Sequence, residues 1–240
     1  MFTEKKAVIF DLDGTLIDSL GIWNRVDEIL LSELQGPEMT SEAISHFRET
    51  ALVRHAQSEN PYVEFCADLG ALCRSSLSGK AIHARRYEIS RQLLRTDVDL
   101  QPGAVQLLEK LKRQGKRLVI ATTTKQANID IYAHHNPSIA SQLNFAETFE
   151  FILTRDCITH IKPHPEIFLL ALHRLGLEAS ECLVIEDSLA GVEAASAAGI
   201  DVIAMKEKWS EKDENEIRSK SIGYFDSFDE LLCRISPSLK

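Results

Sequence analysis

The chain has 240 residues, 44% of them apolar, and a formal net charge of −9. That length supports one large domain or two modest ones around an ordinary buried core. The acidic balance excludes the electrostatic footprint of a nucleic-acid binder, since the nearest basic patches, Arg85-Arg86 and Lys110 to Arg117, read as solvated helix faces and turns.

Five cysteines (Cys66, Cys73, Cys157, Cys182 and Cys233) are odd in number, widely spaced and without a Cys-x-x-Cys pair. The pattern argues against a disulfide framework or a zinc site and for a reducing compartment. No apolar stretch reaches membrane-spanning length, and Met1 to Lys6 does not read as a signal peptide. The expectation is a cytoplasmic protein with neither membrane nor nucleic-acid partner. A monomer is expected too, because no apolar stripe is left unexplained.

In chain order, the first element is the apolar run Ala7-Val8-Ile9-Phe10, followed by Asp11-Leu12-Asp13-Gly14-Thr15. It reads as a buried strand that delivers paired carboxylates to its C-terminal edge, where open α/β sheets place their ligands. Alternate residues of extended chain point to opposite sides, so a bend at Gly14 is needed to bring both acids to one site.

From Leu16 to about Leu100 no strand run is visible. Ile22, Val26, Ile29 and Leu30 form an apolar helical stripe, with charged residues between. Gln101-Pro102-Gly103 marks the end of this insert.

Beyond Asp99, short apolar runs alternate with helical patterns. The runs are Arg117 to Ala121, Phe149 to Leu153, Cys182 to Ile185 and Asp201 to Met205, with Ile222 to Phe225 as an edge strand. Helical patterns cover Gly103 to Gln114, Pro165 to Leu175 and Ser188 to Ala198. Phe168, Ala171, Leu172 and Leu175 share one face of a helix that Gly176 can end. This alternation predicts a parallel sheet with helices on both faces. Within it, His134-His135-Asn136-Pro137 interrupts a helical pattern and reads as a surface loop.

Asp11 to Thr15 resembles motif I of the haloacid-dehalogenase-like phosphatase superfamily, and the other three motifs follow in order. Val119 to Thr123 ends an apolar strand in a small hydroxyl residue, Lys162-Pro163 precedes His164 to Phe168, and Leu183 to Ser188 carries Glu186-Asp187. The order Glu186-Asp187 and the run Ala121 to Thr124 are similar to the branch that holds β-phosphoglucomutase and the CbbY-like sugar phosphatases. The resemblance implies an α/β, Rossmann-like core of residues 1–16 and 99–240. It also implies a helical cap, residues 17–98, inserted after the first strand to select the substrate.

In that chemistry Asp11 is the nucleophile, forming an aspartyl-phosphate, and Asp13 is general acid and then base. Mg²⁺ is the implied cofactor, held by Asp11, the Asp13 carbonyl and Asp187, with Glu186 as a less direct partner. Thr122, the Thr123 backbone and Lys162 would bind phosphate, while Gly14 and Thr15 shape the loop. Trp23, His46, Arg48, Arg54 and Lys80 are cap residues that could read the substrate, a small phosphorylated metabolite such as a sugar phosphate.

A phosphosugar mutase is the alternative reading. The turn Asp18 to Trp23 lacks the histidine associated with that group, and Leu52-Val53-Arg54 is the nearest counterpart of its Gly-Val-Ser-Arg stretch. A binding protein that kept the fold without turnover is a third reading, opposed by the complete acid, threonine and lysine set. Dehalogenation is disfavoured because the second acid, Asp13, and a metal pair suit phosphate.

Overall fold

Strands form at short apolar runs, wholly buried in β1 and β6, and six of them join into one parallel sheet. The computed structural model describes residues 2–235. Its strands are β1 (Ala7–Phe10), β2 (Ile17–Asp18), β3 (Asp99–Leu100), β4 (Arg117–Ala121), β5 (Phe151–Leu153), β6 (Cys182–Glu186), β7 (Asp201–Met205) and β8 (Gly223–Phe225). The sheet order is β5-β4-β1-β6-β7-β8, with β2 and β3 forming a separate antiparallel ribbon. β1 sits in the middle: Phe10 aligns with Ile120 on one side and Ile185 on the other. The C-terminal ends of β1, β4 and β6 therefore lie side by side. This is the Rossmann-like α/β architecture expected.

The contacts divide the described residues into two compact units, one of residues 2–20 and 98–235, the other Gly21–Asp97. The first continues past Leu16 because Ile17 and Asp18 pair with Leu100 and Asp99.

The second unit is helical: α1 (Ile22–Glu33), α2 (Ser41–Arg54), α3 (Pro61–Leu72) and α4 (Gly79–Thr96). Thr40, Asn60 and Ser78 cap α2, α3 and α4 through their side-chain oxygens, and Pro61 opens α3. The expected stripe of α1 holds at Ile22, Val26 and Leu30, while Ile29 is only half-buried. Polar Asn24 and Asp27 are buried on the same helix. The buried Arg86 guanidinium donates to both Asp27 oxygens, at 2.6 and 3.1 Å, and lies 4.7 Å from the centre of the Trp23 ring.

In the first unit the remaining helices are α5 (Ala104–Arg113), α6 (Gln126–His134), α7 (Pro137–Gln142), α8 (Phe145–Thr148), α9 (Glu166–Leu175), α10 (Leu189–Ala197), α11 (Glu214–Lys220) and α12 (Phe228–Arg234). Ile9, Val119, Val184 and Val202 pack in one cluster with Phe168 and Ala171 of α9 and Val192 and Ala195 of α10. α5 buries Leu107, Leu108 and Leu111 and packs against β4. Full burial of each such side chain contributes about 1.5–3 kcal/mol.

The stretch 134–137 is not the surface loop expected. It is a helix junction: Asn136 is 1% exposed, its Oδ1 accepts from the Ile139 N–H to cap α7, and its Nδ2 donates to the Val98 carbonyl. A capping Asn before Pro is a helix-start signal that the paired histidines obscured.

Candidate active site

Three strand ends converge. β1 leads into Asp11, β4 into Thr122, and β6 ends in Glu186 with Asp187 following. Asp11, Thr122, Lys162, Glu186 and Asp187 are all buried, whereas Thr123 is exposed. Lys162 reaches in from the loop before α9. Its Nζ donates to Asp11 Oδ1, to Glu186 Oε1 at 2.6 Å and to the Ala121 carbonyl at 3.0 Å.

Gly14 supplies the bend. Its φ of +92° is in the left-handed region, and a Cβ there would lie 2.4 Å from Asp187 Oδ2. Its N–H donates to the Ile17 carbonyl at 2.8 Å, closing the turn that returns the chain into β2. Thr15 Oγ1 donates to Asp187 Oδ1 at 2.7 Å, so the loop residue steadies one of the acids.

Both oxygens of Glu186 are occupied. Oε1 takes the lysine, while Oε2 accepts from the Asp187 N–H, the Ser188 N–H and Ser188 Oγ at 2.9–3.0 Å. The first turn of α10 comes so close that a Cβ on Gly191 would lie 1.8 Å from Glu186 Oε1. Glycine is the only residue this approach admits. Thr122 Oγ1 accepts from the Thr124 N–H at 3.2 Å.

The Asp13 carboxylate is held by three hydroxyls that motif spacing did not single out. Ser19 Oγ and the Tyr132 hydroxyl donate to Oδ1 at 2.5 and 2.6 Å, and Thr124 Oγ1 donates to Oδ2. Burial first, and then the Asp13 charge, hold the Tyr132 phenol well above its ordinary range, so it stays a donor.

Charge is unbalanced here. Asp11, Glu186 and Asp187 face a single ammonium, and burial pushes Asp11 up to about 7 despite Lys162. Burial, with Glu186 and Asp11 beside it, also raises Asp187 well above the usual carboxylate range. Lys162 is held above its ordinary value: burial disfavours its charge, but Asp11 and Glu186 outweigh that cost. Two excess negative charges among hard oxygen donors are what a divalent cation neutralises, so the residues fit Mg²⁺.

The sequence profile of the haloacid dehalogenase-like hydrolases matches residues 8–205. The chain belongs to that family. The chain is 28% identical to a phosphoglycolate phosphatase of Aliivibrio fischeri, covering 85% of this chain and 86% of that protein. It is also 28% identical to a phosphorylated carbohydrates phosphatase of Thermotoga maritima, covering 82% and 83%. Among solved structures, CbbY from Rhodobacter sphaeroides in complex with phosphate superposes with a TM-score of 0.71 at 25% identity, covering 95% and 96% of the two chains.

In this hydrolase three of the five candidate residues of the helical unit, Trp23, Arg48 and Arg54, have structural partners. Arg48 donates to Asp27 and to Asn24 at 2.5 and 2.7 Å, and exposed Arg54 pairs with Asp68 at 3.0 Å. Trp23 is half-buried beside Arg86, whereas His46 and Lys80 are exposed. Tyr132 carried no sequence signal, since one tyrosine in an apolar helix looks like core. Ser188 and Gly191 could have been found as a cap and a close approach just after the acids.

Proposed function

We propose that this hydrolase is a magnesium-dependent phosphatase of a small phosphorylated metabolite, a sugar phosphate in particular. The observation that carries the reading is the buried set of three acids at the strand ends, two of which, Asp11 and Glu186, share the ammonium of Lys162. The relatives named as phosphatases support it, and the one named for phosphorylated carbohydrates supports the substrate class.

Asp11 attacks phosphorus, and the bond to the leaving oxygen breaks in line. That oxygen takes a proton from Asp13. In the second half a water gives its proton to Asp13 and attacks the aspartyl-phosphate, releasing phosphate and restoring the Asp11 carboxylate. Lys162 offsets charge on the phosphoryl oxygens, together with the Thr122 hydroxyl and the Thr123 N–H.

Mg²⁺, held by Asp11, Asp187 and the Asp13 carbonyl, would screen the acids from the substrate dianion and keep the phosphate in line. Glu186 serves this centre indirectly: its carboxylate fixes Lys162 and the Asp187 backbone. Thr15 and Gly14 hold Asp187 and its loop. We assign substrate discrimination to the helical unit, with Trp23, Arg48 and Arg54 as the residues to vary first. Five unpaired cysteines support a reducing, cytoplasmic setting, and among the described residues no helix is long and apolar enough to cross a membrane. A monomer is proposed.

The test is phosphate release from a panel of sugar phosphates and phosphoglycolate, with Mg²⁺ and with chelator, wild type beside Asp11→Asn. Metal-dependent release that the variant lacks is expected. Undiminished release by Asp11→Asn would overturn the nucleophile. Phosphate moved between sugar positions without release would make the enzyme a mutase.

A further inference from the structure

Outside the acidic site, one surface group gathers metal-ligating side chains. His160, His164 and Glu166 each place a ligand atom within 4.8 Å of the others, the only such group of three or more His, Cys, Asp or Glu among the described residues.

Local chain geometry builds this cluster. The loop from Thr159 turns back at Pro163 and Pro165 into α9, whose first residue is Glu166. The Glu166 carboxylate is fixed by the N–H groups of Thr159 and His160, each at 2.8 Å, and meets His160 Nδ1 at 2.9 Å. A carboxylate has about four acceptor positions, so these bonds leave it ligand capacity. The two imidazoles lie with ring centres 4.6 Å apart, tilted by 33°. His164 Nδ1 accepts from the Glu166 N–H at 3.2 Å, a long bond that orients the exposed ring while its proton sits on Nε2 and that a metal ion on this imidazole would replace. Thr159, Ile161 and Pro163 line a surface cavity beside the two rings, giving room for water on the open side.

We infer that His160, His164 and Glu166 form a second metal site, selective for a borderline divalent ion of the Zn²⁺ class and separate from the magnesium centre. Two neutral nitrogens and one carboxylate suit Zn²⁺, with water in the fourth position. Mg²⁺ favours oxygen donors and holds its own waters. Tetrahedral bonds of zinc length need ligand atoms roughly 3.4 Å apart, and ring rotation of the exposed histidines supplies the adjustment. The site brackets Lys162 from both sides in sequence. A bound ion would therefore tie down the loop that carries the buried ammonium.

The experiment is calorimetric titration of the full chain with Zn²⁺ in excess Mg²⁺, which keeps the acidic site occupied. One equivalent is expected to bind the wild type and to bind His160→Gln and His164→Gln at least about tenfold more weakly, since even indirect changes at metal sites cost that much. His173→Gln, on the exposed side of α9, should bind like the wild type. Circular dichroism confirms that each variant is folded. Equal affinity in His164→Gln and the wild type, or no zinc binding by the wild type, would overturn the site.

Discussion

The Tyr132 hydroxyl donates to Asp13 Oδ1 at 2.6 Å from a side chain that is 1% exposed. α6 thus aims at the residue proposed to move protons, and three hydroxyls fix that carboxylate before substrate arrives. A hydrogen bond to a charged group contributes about 1.5–3 kcal/mol. Tyr132→Phe should lower kcat on a sugar phosphate at least about tenfold with little change in KM. The loss in the phosphorylation step should shrink with p-nitrophenyl phosphate, whose leaving group needs no proton. Equal losses on both substrates would reduce Tyr132 to packing.

The acids make stability depend on pH. Asp11 titrates at about 7 when folded against an ordinary 3.8, so between those values the folded state holds more protons than the unfolded one. Stability from this group is full at low pH and is lost as pH rises through about 7, a change on the order of 4 kcal/mol. In chelator, the wild type should therefore lose stability from pH 4 to 7.5 relative to Asp11→Asn. Mg²⁺ should narrow the gap, because a divalent ion favours the charged acids. Denaturant midpoints across pH check both expectations.

Gly191→Ala forces a methyl onto the Glu186 carboxylate, and overpacking of this kind costs about 1–3 kcal/mol. Because Glu186 anchors Lys162, activity should fall further than the thermal midpoint alone implies. Ala at Gly115, where nothing lies within 4 Å, should cost only the strain of its left-handed φ, about 1 kcal/mol, and leave turnover intact.

Thiol reactivity should separate the cysteines. Burial pushes the thiols of Cys66 and Cys182 up to about 12 and 11, whereas Cys157 and Cys233 are exposed. Iodoacetamide at pH 8 should label the exposed pair and spare the other two until denaturant is added. Peptide mass mapping reads the outcome.

In the helical unit, Arg86→Ala strands Asp27 with Arg48 alone. Breaking a buried pair costs about 3–5 kcal/mol, so the midpoint of that unit should fall sharply. Arg54→Ala, which breaks an exposed pair, should shift it by less than about 1 kcal/mol. A small effect of Arg86→Ala would mean that the aromatic contacts carry the site.

The strands were legible because burial on both faces writes a continuous apolar run, as in Leu118 to Ala121 and Cys182 to Ile185. Glu186 and Asp187 were legible as an acidic pair closing an apolar strand, and Lys162 as the Lys-Pro pair that precedes it in the same motif order; the structure sets Lys162 Nζ 2.6 Å from Glu186. Hydroxyls were not: Thr124 and Tyr132 act on a carboxylate more than a hundred positions away, and no local period records such a pairing. Charge inside the helical unit was also hidden, since Asp27 is a core residue only once Arg86 and Arg48 surround it. β5 begins at Phe151, two residues later than the apolar run suggested, because Phe149 is the C-cap of α8.

The central place of β1 has a consequence for biosynthesis. Its hydrogen-bonding partners begin at Arg117 and Cys182, so an emerging nascent chain carries an apolar strand with no partner until β4 is made and with one open edge until β6 is made. At about 5–20 residues per second, the interval before β6 appears is roughly ten to thirty seconds. The four helices of the inserted unit contact near neighbours in sequence and can order first. A truncated nascent chain stopped before Cys182 should engage a holding chaperone through Ala7–Phe10 and release it once β6 has cleared the exit tunnel.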